Sequence, residues 1–274
     1  MKHRTAVATR QMSPGELADS LRVIMRLGMM MLRGGSASFR VEEAMIRMAY
    51  AMGIERLDAY VTPTGIIASA YSGREHRTQI VRIPTLGVDM NRVVELELLS
   101  RNIPDLSTPD AVAAQLDAIE KMGPLYRRWQ VAGMVGLACG SLAVILGGGP
   151  LEFASAASGA TVAQTVRFWM IGRHFNPIPI TVICAAIATA VSYALAQLST
   201  VVGPHLGLAV NPRLGVIASV LLLVPGVPLV AAVVDLTHFD LVSGTTRGMY
   251  ATLLFVSIGL GMLIILAWTG LRIL

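Results

Sequence analysis

The stretch RRWQVAGMVGLACGSLAVILGG, residues 127–148, is where the chain changes solvent. Two arginines and a tryptophan give way to residues 131–148, which carry no charge at all and approach the roughly 20 residues that a bilayer core requires. Upstream of this point acids and bases alternate. Downstream they nearly vanish: 17 of the 22 Lys and Arg and 14 of the 17 Asp and Glu lie in residues 1–130. With 54% hydrophobic and 14% charged residues and a mean hydropathy of +0.63, the 274-residue chain is too apolar for an ordinary water-soluble domain. The fold class expected is an α-helical polytopic membrane protein of about five transmembrane helices, residues 129–274, carrying an N-terminal α+β cytosolic domain over residues 1–128.

The five apolar stretches fall at about 131–148, 151–171, 178–202, 214–234 and 249–270. The second is interrupted by Ser155, Ser158, Thr161, Gln164 and Thr165, so its span is the least apolar. Basic residues beside spans stay on the cytoplasmic side. Arg127 and Arg128 before span one, Arg167, Arg173 and His174 about the second loop, and Arg247 before span five place the N-terminus in the cytoplasm and Arg272 outside. Runs such as ASAASGATVA let helix backbones approach closely, as association within lipid favours.

In the charged part, Ser13-Pro14-Gly15-Glu16 has capping-box spacing and opens a helix over 13–32, ended by Gly34-Gly35. A second helix spans 39–52, with Met45, Met48 and Met52 on its core face. LDAYV, IIASAY and RTQIVRI read as strands separated by TPTG and SGREH, and helices at 90–102 and 109–122 begin behind Asp89 and Thr108-Pro109.

The formal charge of +5 comes without a basic block, which argues against nucleic acid. Cys139 and Cys184 sit inside apolar runs as small hydrophobes, so neither a disulfide framework nor a metal pair is expected, and no cofactor motif occurs. The polar N-terminus lacks the apolar core of a cleavable signal peptide.

Two constellations carry chemistry. RGGSASFRVEE, residues 33–43, combines the glycine turn ending at Gly35 with Ser36, Ser38, Arg40 and Glu42, and its free helix amides suit an anion. A plain helix break with an N-cap explains these residues more simply. A serine nucleophile lacks the G-x-S-x-G form, and the candidate bases are His3 and His76, the latter in a turn. The second constellation is LLLVPGVPLVAAVVDLTHFDLVSGTTRG, residues 221–248. Pro225, Gly226 and Pro228 break span four, and irregular backbone within a membrane survives where protein buries it or a cavity solvates it. Asp235 at the end of that span should face a cavity or pair with Arg247 or Arg167, while Asp240, Ser243, Thr245 and Arg247 follow as a polar cluster or a solvated loop. A carboxylate here suits a coupling proton or a substrate ammonium, and the arginines suit a substrate carboxylate.

In combination, GGSASFRVEEAM, VTPTGI, VRIPTLGVDMNRVVELELLSR with Asp89 and Arg101, and the broken-span stretch resemble the ThrE-type threonine/serine exporter family, specifically its N-terminal-domain-containing subunits. The resemblance covers about residues 20–260. It implies a cytosolic hydrolase-like domain joined to five helices in the bacterial cytoplasmic membrane, and a small five-helix membrane subunit as partner, compatible with a higher oligomer. An odd number of helices per set would invert the partner's set relative to this one. It also implies a small-molecule substrate: threonine and serine first, a succinate-type dicarboxylate as the alternative. A membrane-anchored hydrolase and a bare interaction subunit are the competing classes. No nucleotide-binding motif supports an ATP-driven pump.

Overall fold

The structure, a computed structural model, describes residues 12–83, 87–173, 175–206 and 211–270. His3, His174 and Arg272, used above as a candidate base and as orientation markers, lie outside the described residues.

Helix α1 (Pro14–Arg33) opens with the expected capping box: Ser13 Oγ accepts from the Glu16 amide at 3.2 Å and Glu16 Oε2 accepts from the Ser13 amide at 3.0 Å. It ends at Gly34, and Gly35 follows at φ +94°, a left-handed conformation that glycine adopts without strain. Helix α2 (Ser38–Ala51) comes next. Strands β1 (Arg56–Thr62), β2 (Gly65–Ser72) and β3 (Glu75–Arg82) form an antiparallel meander in chain order. Ile66 lies opposite Val61 on one side and Val81 on the other. With Leu57, Ala68 and Ala70 it makes the sheet face that joins Leu17, Ile24, Met31, Met45 and Met48 in a core. Helices α3 (Met90–Asn102) and α4 (Pro109–Glu120) add Leu96, Val112 and Leu116 to it. These elements match the sequence expectations to within two residues. His76 is the exception in setting: it stands in β3 opposite Tyr71, with the rings stacked, and not in a turn.

Six α-helices follow among the described residues: α5 (Arg128–Ile145), α6 (Pro150–Ile171), α7 (Pro177–Val202), the short α8 (Pro212–Ser219) and α9 (Gly226–Thr237), and finally α10 (Leu241–Thr269). Among the described residues α5, α7 and α10 are long and apolar enough to cross a membrane. The α8–α9 pair makes a fourth if it counts as one broken span. Helix α6 has 22 residues but is more polar, with Glu152, Gln164 and Arg167 along it. The last helix starts at Leu241 and not near 249, because Asp240 caps it: the Ser243 amide donates to Asp240 Oδ1 at 3.2 Å. Ser243, Thr245 and Arg247 are therefore helical, not a loop.

The chain forms two compact units. One contains the residues up to Gly123 together with Gly226–Met249; the other contains Pro124–Pro225 together with the residues from Tyr250 onward. The sequence suggested a division at 128/129, whereas Gly226–Met249 packs with the N-terminal elements. In the second unit small residues set the helix contacts. A Cβ on Gly159 of α6 would fall on Ser192 Oγ and 2.7 Å from the Ala188 carbonyl of α7. Ser192 Oγ donates to the Ser155 carbonyl at 2.8 Å. Glu152, 3% exposed, accepts from the amides of Gly149 at 2.8 Å and Asn211 at 2.5 Å, which accounts for a buried carboxylate at a helix start.

Candidate functional site

Helix α2 has an alanine, Ala37, at its N-cap and no side-chain cap of its own. The first helical amide is then an orphan donor at the positive end of the helix dipole, and buried it must find an acceptor. It finds one far along the chain: Ser38 N donates to Asp235 Oδ1 at 2.9 Å, and Ser38 Oγ lies 3.5 Å from Oδ2. The anion suited to the glycine turn is thus the protein's own Asp235.

The same carboxylate faces Arg247, whose Nε stands 3.0 Å from Asp235 Oδ2 as an ion pair outside straight hydrogen-bond alignment. Arg247 Nη2 donates to the Ser36 carbonyl at 2.7 Å. Asp235 is 0% and Arg247 3% exposed, so each charge is compensated by the other and by backbone dipoles. Of the two bases weighed for Asp235, its partner is Arg247. Arg167 lies in the other unit, half-buried on α6, and forms no ion pair among the described residues.

Further contacts tie the same segments. Ser243 Oγ donates to the Val61 carbonyl of β1 at 3.2 Å. The Phe39 ring stacks on His238 with centroids 3.9 Å apart and planes 9° from parallel. Glu42, on the next turn of α2, is half-buried; burial first, then the charges of Asp240 and Glu43, push its carboxyl above the ordinary glutamate range.

Other expected site residues fall elsewhere. Pro225 precedes α9, Gly226 is its first residue and Pro228 its third, so the prolines start this helix where amides lack intrahelical partners anyway. Thr245 is exposed and bonds back to the Leu241 carbonyl at 2.6 Å. Arg40 is exposed, its guanidinium 5.8 Å from the Phe39 centroid. Asp89 caps α3 by accepting from Arg92 N at 3.1 Å, and Arg101 pairs with Glu97 at 2.8 Å on the surface. Ser36 and Ser38 are buried, with Ser36 Oγ 3.5 Å from the Ala37 carbonyl. Sequence reasoning missed the uncapped Ala37, and it missed His238 and Val61, whose partners lie roughly 180–200 residues away. The missing cap at Ala37 was the one available signal.

Residues 22–269 match the model of the ThrE family, described as "Putative threonine/serine exporter". The chain is 28% identical over 255 residues to the "Probable succinate transporter subunit YjjP" of Escherichia coli K12, covering 92% of this chain and 95% of that protein. It is 26% identical to the protein of the same name in Klebsiella aerogenes, covering 92% and 94%. No solved structure matches.

Proposed function

Because the chain belongs to the ThrE family, we propose that this transporter subunit serves a secondary exporter of small carboxylates, driven by an ion gradient and completed by a second small membrane subunit. The observation that carries the choice of substrate is the closure of Asp235. A zwitterion such as threonine or serine needs an acid for its ammonium, and Asp235 is already held by Ser38 and Arg247. Glu152 is likewise held by two amides. A succinate-type dicarboxylate needs no such acid, and the curated relatives carry that substrate in their names. The dicarboxylate therefore ranks ahead of threonine and serine, reversing the order taken from sequence. The cytoplasmic position of the N-terminal elements and the bacterial inner membrane as the site of action belong to the same proposal.

The test is efflux of labelled succinate and labelled threonine from cells lacking their own exporters. Succinate efflux that collapses with the proton gradient supports the proposal; threonine efflux alone restores the amino-acid substrate. Efflux of neither, with the partner subunit present, removes the exporter assignment.

A further inference from the structure

Arg167 sits on α6 among apolar helices. A guanidinium charge set among apolar helices calls for an answering one. In its unit the acid among the described residues after Arg128 is Glu152, which lies about 22 Å away at 1.5 Å per residue along the same helix and is committed to two backbone amides. Arg167 lies within electrostatic reach of Cys184 on α7 and Tyr250 on α10, and it has no ion-pair partner among the described residues. One turn earlier on the same side of α6 is Gln164, 8% exposed, whose Oε1 is buried without a hydrogen-bond partner. Hydroxyls elsewhere in these helices, such as those of Thr161, Thr165, Thr181 and Ser257, bond back to the carbonyl four residues earlier; among the described residues of this unit the buried side-chain polar atoms left without a partner are Gln164 Oε1 and Thr189 Oγ1. A buried acceptor left empty is costly, and an ionisable group at membrane depth marks a ligand or ion path.

We infer that Gln164 and Arg167 form a binding site for a small carboxylate that also carries a hydrogen-bond donor. The guanidinium takes the carboxylate through paired N–H donors, and the Gln164 amide oxygen accepts from the second group. A singly protonated dicarboxylate and an α-amino or hydroxy acid share that chemistry. The site rests on the carboxylate-transporter proposal and supplies what Asp235 does not: an uncommitted charge.

The experiment is thermal unfolding of the purified full chain in detergent, with sodium succinate, threonine, or sodium chloride at matched ionic strength. One carboxylate should raise the melting temperature and chloride should not. Arg167→Gln should abolish that shift, and Gln164→Leu should require about 10–100-fold more ligand for the same shift. Without ligand, Arg167→Gln should melt no lower than the wild type, because no built-in partner is lost. Which ligand acts distinguishes the dicarboxylate from the amino acid. No shift with either, a shift unchanged in both variants, or a clearly lower melting temperature for unliganded Arg167→Gln overturns the site. Labelled efflux separates this from the broader proposal: efflux retained in Arg167→Gln removes the site and leaves the exporter, whereas a ligand shift without wild-type efflux removes the exporter and leaves the site.

Discussion

Asp235 caps helix α2 and neutralises Arg247 with one carboxylate: Oδ1 accepts from Ser38 N at 2.9 Å and Oδ2 stands 3.0 Å from Arg247 Nε. Two demands that would each be expensive when buried are met by a single residue. Removing either partner leaves the other charge uncompensated. Asp235→Asn or Arg247→Gln alone should destabilise the chain by about 3–5 kcal/mol, and the double variant should lose less than the sum of the two. Circular dichroism melts of the four proteins decide it; strictly additive losses would mean the two charges are not coupled.

The cap and the ion pair can be separated. In Asp235→Ala, the added substitution Ala37→Ser places a hydroxyl at the N-cap of α2 and should recover about 1 kcal/mol, because the hydroxyl accepts from the N2 or N3 amide and so answers part of the positive helix end that Asp235 had compensated. In the wild type the same serine should add little, since Asp235 already serves the helix. Equal gains in both backgrounds would show that Asp235 does not act as the cap.

Glu42 makes stability depend on pH in a direction opposite to the usual carboxylate. Its carboxyl is raised by burial and by Asp240 and Glu43, so the folded chain holds that proton more tightly than the unfolded chain. Stability should fall as pH rises from the ordinary glutamate value to the raised one. Glu42→Gln should flatten that fall, and melting curves across this window test it. A wild-type-to-variant difference that stays constant with pH would contradict the coupling.

In the helical unit the close approach at Gly159 is the point most sensitive to size. Gly159→Ala should cost about 1–3 kcal/mol, since its Cβ would meet Ser192 Oγ and the Ala188 carbonyl, a backbone atom that cannot swing aside. Gly133 on α5 has open space at that position, so Gly133→Ala should be neutral or stabilising by up to about 1 kcal/mol. Thermal melts of the two variants in detergent provide the comparison. Similar effects would remove the packing explanation.

Local chemistry made much of this protein legible in one dimension. The Ser13–Glu16 box, the methionine face of α2, the period-two strands and the Asp89 and Thr108 caps depend on residues within a few positions of each other, and each was placed from sequence. Apolar length likewise marked the long helices, because hydrocarbon thickness is a local constraint on composition. The sequence also brought forward the two polar constellations at 33–43 and 221–248. It could not show that they are one site: their residues are up to 211 positions apart, and nothing in either stretch encodes the other's location. Tertiary structure decided that the anion for the glycine turn is Asp235, that Pro228 stands in the first turn of α9 just after the break at Pro225, and that Arg247 has an ion-pair partner while Arg167 has none among the described residues. The physical reason is that hydrogen bonds and charges are satisfied in three dimensions, so a residue's commitment, unlike its propensity, is settled only when the chain has folded around it.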